Sequence, residues 1–210
     1  FIILVVLALA SLLFFYIFLS KRKEKAFLGR GMNLALFLVT LPQRIGKGED
    51  KKVSLEEHLK TAEQFYSSLT SIKEQNLIKR ILFGNPAFAF EVAVHRIGEA
   101  IYFYLACPRY LAGVIEKQIL AFWPEGQVQQ VSDYNIFNSG GISQGFYLQQ
   151  KLSYALPVRT YLEANVDTFA PILSGLSNLK ELGEGAAIQI IGKPAPQSTK
   201  KSIVKMIHSL

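Results

Sequence analysis

The chain has 210 residues, half of them apolar and 19% charged, with a formal net charge of +7. That apolar content excludes an intrinsically disordered chain, and the single cysteine, Cys107, excludes a disulfide framework. Three histidines beside one thiol are too few soft ligands for a zinc cluster.

The sequence opens on Phe1 rather than methionine, which points to a piece of a longer product. Phe1–Ser20 reads FIILVVLALASLLFFYIFLS and carries no charge. A helix of this length rises about 30 Å, the thickness of a hydrocarbon core, so residues 1–20 are expected to form a transmembrane helix. A signal peptide has a shorter apolar stretch and a small-x-small site. Here the run passes straight into the basic juxtamembrane linker, residues 21–31. There Lys21, Arg22, Lys23, Lys25 and Arg30 face only Glu24. Those five cations are expected to contact the membrane surface and, by the positive-inside rule, to leave the rest of the chain in the cytoplasm. Lys193, Lys200, Lys201 and Lys205 form a second basic group, in residues 185–210. Residues 32–184 hold 14 basic and 15 acidic side chains, so the folded body is near neutral and does not support a nucleic-acid-binding face.

Met32–Leu41, stopped by Pro42, reads as a buried strand. Ser54 and Glu57 have capping-box spacing. Behind them Leu55, Leu59, Ala62, Tyr66, Leu69 and Ile72 recur at helical intervals, predicting a helix that Gly84-Asn85-Pro86 stops at the latest. Ala87–His95 alternates Phe88, Phe90, Val92 and Val94 on one face, the period of a half-buried strand. Ala100–Cys107 pairs with it as a hairpin, and Pro108 opens a helix carrying Leu111, Val114, Ile115, Gln118, Ile119 and Phe122 on one side. Gln127–Tyr134 is expected to be an edge strand. The order strand, helix, strand, strand, helix, strand predicts a ferredoxin-like sandwich over residues 32–135, α+β in class. Residues 136–144 read as a linker. Residues 145–210 are expected to be a partial second α+β unit: a strand from Gly145, a helix capped by Asp167, a short buried strand Ala186–Ile191 and a basic helical segment from Ser198.

No string with catalytic spacing is present. GxxxxGK[ST] is absent, Gly46-Lys-Gly48 and Gly183-Glu-Gly185 are turn glycines, and no GxSxG surrounds Ser139. His58, His95 and His208 stand on separate elements, Cys107 ends an apolar strand, and Glu91 has Arg96 or Arg109 as an ion-pair partner. The chain is therefore expected not to be an enzyme and to hold no catalytic residue, cofactor or metal.

Cys107–Val128 (CPRYLAGVIEKQILAFWPEGQV), Asn165–Pro194 and the pair Phe90-Glu91 resemble the membrane-proximal N-terminal region of bacterial type IV secretion and conjugative DNA-transfer coupling ATPases. The matching pieces are Glu116-Lys-Gln-Ile119 before Trp123-Pro124, and Asp167 before Gly183-Glu-Gly-Ala186 and Gln189. The resemblance implies a single-pass protein of the bacterial inner membrane. It would be a non-catalytic assembly module that positions a motor ATPase domain, docks secretion-system subunits or assembles as a homo-oligomer. The alternative is a membrane-tethered, single-stranded nucleic-acid-binding module, with Tyr102 and Tyr104 stacking bases on the sheet.

Overall fold

The apolar run behind Gly31 forms β1 (Leu34–Thr40), which lies inside the sheet. The structure, a computed structural model, describes residues 33–41, 55–95, 100–151, 169–179 and 184–208, with the single positions Ser11, Leu13, Phe14, Lys21, Glu163 and Asp167. Ser54, the expected cap, lies outside them. Behind it α1 (Leu55–Leu69) ends, and a second short helix follows, α2 (Leu77–Phe83). The two are separate because Asn76 interrupts the run: its side chain accepts the Lys79 amide at 3.0 Å and caps α2. Gly84, at φ 72°, closes α2 in a backbone region that suits glycine.

β2 (Phe88–Val94) and β3 (Tyr102–Pro108) pair antiparallel, with Phe90 opposite Leu105 and Glu91 opposite Tyr104. A 3-10 turn, Arg109–Leu111, leads into α3 (Ala112–Phe122), and β4 (Gln127–Val131) returns along β1. Further on, α4 (Ala170–Ser177) starts where the Asp167 carboxylate accepts the Phe169 and Ala170 amides at 2.9 and 3.1 Å. β5 (Ala186–Gly192) and α5 (Gln197–Ile207) complete the described elements.

All pairings are antiparallel, in the order β4-β1-β3-β2-β5. One face of the sheet is covered by helices. Phe37, Ile115, Ile119 and Cys107 are fully buried there, joined by Phe65 and Leu69 of α1. Phe65 was not in the helical stripe read from the sequence. It packs edge-on to Phe122 and Trp123, whereas Tyr66 of that stripe is half exposed against Phe90.

Two expectations are corrected. A four-stranded, two-helix ferredoxin-like sandwich with a separate second unit is not what the chain builds. The seven residues of β5 pair with β2, from Phe88↔Gly192 to Val94↔Ala186, and make a five-stranded sheet with five described α-helices. β5 thereby covers the outer margin of β2 along its whole length. α4, which precedes β5 in the chain, packs on the same sheet and buries Leu176 against Val92 and Val94.

The expected membrane span is the second correction. Among the described residues no helix is long and apolar enough to cross a membrane. The longest, α1, has 15 residues and carries Glu57, Lys60 and Glu63. At about 1.5 Å per residue it falls short of a hydrocarbon core about 30 Å thick. Of Phe1–Ser20 only Ser11, Leu13 and Phe14 are described, and of the five juxtamembrane cations only Lys21, which is exposed. The single-pass inner-membrane placement with a cytoplasmic body is accordingly not supported.

Candidate functional site

Strand alternation sends Glu91, Tyr102, Tyr104 and Gln189 to the face away from the helices. The segment Ser132–Ile136, leaving β4, returns across this face as a strap. The Tyr134 ring stacks on Tyr104 at 4.8 Å and on His95 at 4.9 Å between centroids. Its hydroxyl donates to Glu91 Oε2 at 2.8 Å, and Gln189 Nε2 donates to Glu91 Oε1 at 2.6 Å. Tyr104 Oη and His95 Nε2 share a hydrogen bond of 3.0 Å, and His95 stacks on Tyr102. Burial first, and then the Glu91 carboxylate, push the Tyr134 phenol well above its ordinary range.

The strap ends against the start of β5. A Cβ on Gly185 would stand 2.9 Å from the His95 carbonyl oxygen and 3.0 Å from Ile136 Cβ, so only glycine admits this approach. Beside the strap is a groove of about 730 Å³, with Leu34, Leu36 and Ala106 as its apolar lining and Glu91, Arg109 and Asp133 as its charged one. Arg109 turns part of its guanidinium inward, donating to Asn33 Oδ1 at 3.1 Å and to the Leu34 carbonyl at 2.8 Å.

The structure sorts the residues singled out in the sequence. Glu91 takes Tyr134 and Gln189 as hydrogen-bond donors; Arg96 lies outside the described residues. His58 stands on α1 and His208 at the end of α5, whereas His95 directly follows β2. No group of three His, Cys, Asp or Glu able to hold a metal occurs among the described residues. Cys107 points into the helix-covered core, where burial raises its thiol to about 11. Tyr104 is buried and Tyr102 half-buried, both stacked on His95. Tyr134 was missed because its run read as a plain edge strand; the aromatic at the end of that run was the available signal.

The two margins of the sheet differ. β4 shows solvent Gln127, Gln129 and Gln130. β5 carries no charge and leaves Ile190 60% and Ile191 66% exposed, on opposite faces of the strand. The sequence reading made Ala186–Ile191 a buried strand, but its position at the end of the sheet leaves these two side chains open. The expected strand from Gly145 does not form within the described residues 145–151. Ile142, Phe146, Tyr147 and Leu148 are instead between 87% and 102% exposed.

No family model, no curated protein and no solved structure matches the chain, so the type IV secretion and conjugation role implied by the sequence resemblance finds no support, and the site's own geometry is the ground for its function.

Proposed function

We propose that the chain is a non-catalytic docking module that accepts an extended strand of a partner protein along β5. The carrying observation is the outer margin of that strand: seven uncharged residues at the end of the sheet formed by the described strands, with Ile190 and Ile191 open on its two faces. Sheet edges in monomeric proteins are normally blunted by charge, proline or bulges. An edge without these devices offers a row of main-chain donors and acceptors, and its alternate side chains select the incoming strand. The near-neutral balance of residues 32–184 fits a protein partner better than a polyanion. The nucleic-acid alternative draws less support, since Tyr102 and Tyr104 spend their ring faces on His95 and Tyr134.

Photo-cross-linkers placed at Ile190, and separately at Val114 on the exposed side of α3, test this in the protein's native host. The expected result is a discrete adduct from position 190 that disappears when Ile191→Lys is added, with none from position 114. No adduct from 190, or equal labelling from both, would refute the reading.

A further inference from the structure

The strand-patterned segment after the strap joins no ladder among the described residues. From Asn135 to Gln150 the chain carries no charged residue, and Ile142, Phe146 and Leu148 fall at even spacing, as on one face of a strand. A turn closed by the Gly141 amide on the Asn138 carbonyl, at 3.0 Å, precedes them. Beyond it Ile142–Gln149 is exposed and forms no ladder with any described strand. Among the described residues it is an arm with the pattern of a strand and no ladder to go with it.

The same chain supplies, in β5, a sheet margin with which no further described strand pairs. Resting on the strand-docking reading of β5, we infer that the occupant is the Ile142–Gln149 arm of a second copy of this chain, exchanged reciprocally between two protomers. At about 3.3 Å per residue the eight-residue arm reaches about 26 Å, enough to run along all seven residues of β5. Its side chains suit both faces of the margin. Phe146 and Leu148 would lie on one side and Tyr147 on the other, where Ile190 and Ile191 are open. Neither arm nor margin carries a charge, so pairing them buries no unpaired ion. The arm also departs close to the margin, because Ile136 packs against Gly185 at the start of β5. Two copies related by a two-fold axis therefore satisfy both arms and both margins in one closed assembly.

Cysteine cross-linking on the full chain tests the exchange. Differently tagged Leu148→Cys and Ile190→Cys chains are mixed and mildly oxidised, with parallel mixes using Phe146→Cys and Tyr147→Cys to cover the register. Cys107 is buried and serves as a silent background. The expected product is a mixed-tag disulfide dimer in excess of either like-with-like dimer, lost when Phe146→Asp is added to the arm. A Leu148→Cys/Ile190→Cys double variant that closes only within one chain would overturn the exchange in favour of the arm covering its own margin. Absence of mixed product at all three arm positions would overturn it as well. If position 190 still photo-cross-links to a different protein, the exchange fails while the docking reading of β5 stands.

Discussion

Removing the Tyr134 side chain should release the strap from the open face of the sheet, and the cost can be divided by chemistry. Tyr134→Phe loses only the 2.8 Å hydrogen bond to Glu91. Hydrogen bonds to charged groups contribute about 1.5–3 kcal/mol. Glu91 is only half-buried and keeps Gln189, so water recovers part of the loss and about 1 kcal/mol is expected. Tyr134→Ala also removes the ring contacts to Tyr104 and His95. Each is worth about 0.5–1.5 kcal/mol beyond area burial, so with the hydrogen bond these contacts alone cost about 3 kcal/mol. Urea denaturation measures both differences. Amide hydrogen exchange places them: the alanine variant should exchange faster at Ser132–Ile136 and at the start of β5, while α1 and α3 stay unchanged. A cost below about 1 kcal/mol for Tyr134→Ala, with unchanged exchange in the strap, would refute its structural role.

The same residue sets a pH dependence. The fold favours the neutral phenol, so its contribution is complete below the ordinary tyrosine value of 10.0 and is lost as the pH rises beyond it. Wild-type stability should therefore fall more steeply above about pH 10 than that of Tyr134→Phe, by less than the one-proton limit of about 1.4 kcal/mol per pH unit because water screens the group; parallel curves would contradict this. Gly185→Ala should cost about 1–3 kcal/mol by forcing the strap from β5, whereas Gly175→Ala, in α4 with open space at its Cβ, should gain up to about 1 kcal/mol; thermal or urea melts of the pair read the contrast. With its thiol raised from 9.0 to about 11, Cys107 should react with iodoacetamide at about pH 8 roughly a hundredfold more slowly in the folded chain than in urea, and burial should slow it further.

Local periodicity carried much of this architecture into the sequence. The alternation of Phe88, Phe90, Val92 and Val94 marked β2, and the aromatic run after Ala100 marked β3, because each strand has one face against helices. What stayed hidden depends on partners far away in the chain. Nothing in AAIQIIG says that it joins β2 rather than a sheet of its own. Apolar content made it read as buried, although its place at a margin leaves Ile190 and Ile191 open. Glu91 was legible as a carboxylate needing partners, but its donors come from a loop tyrosine and a glutamine of a distant strand, a choice of tertiary geometry alone. The strand pattern at Phe146 and Leu148 was legible too, and among the described residues it joins no ladder, because pairing depends on a partner that local alternation does not name.

The pairing of β2 with β5 also constrains how the chain is made. Glu91 and its donor Gln189 are separated by 98 residues, so at about 5–20 residues per second a ribosome needs on the order of 5–20 s to deliver the second after the first. Throughout that interval the flank of Phe88–Val94 is nascent and uncovered. Mutations that slow the arrival or docking of Ala186–Gly192 should therefore show first as aggregation during expression, before any loss of stability in the finished protein.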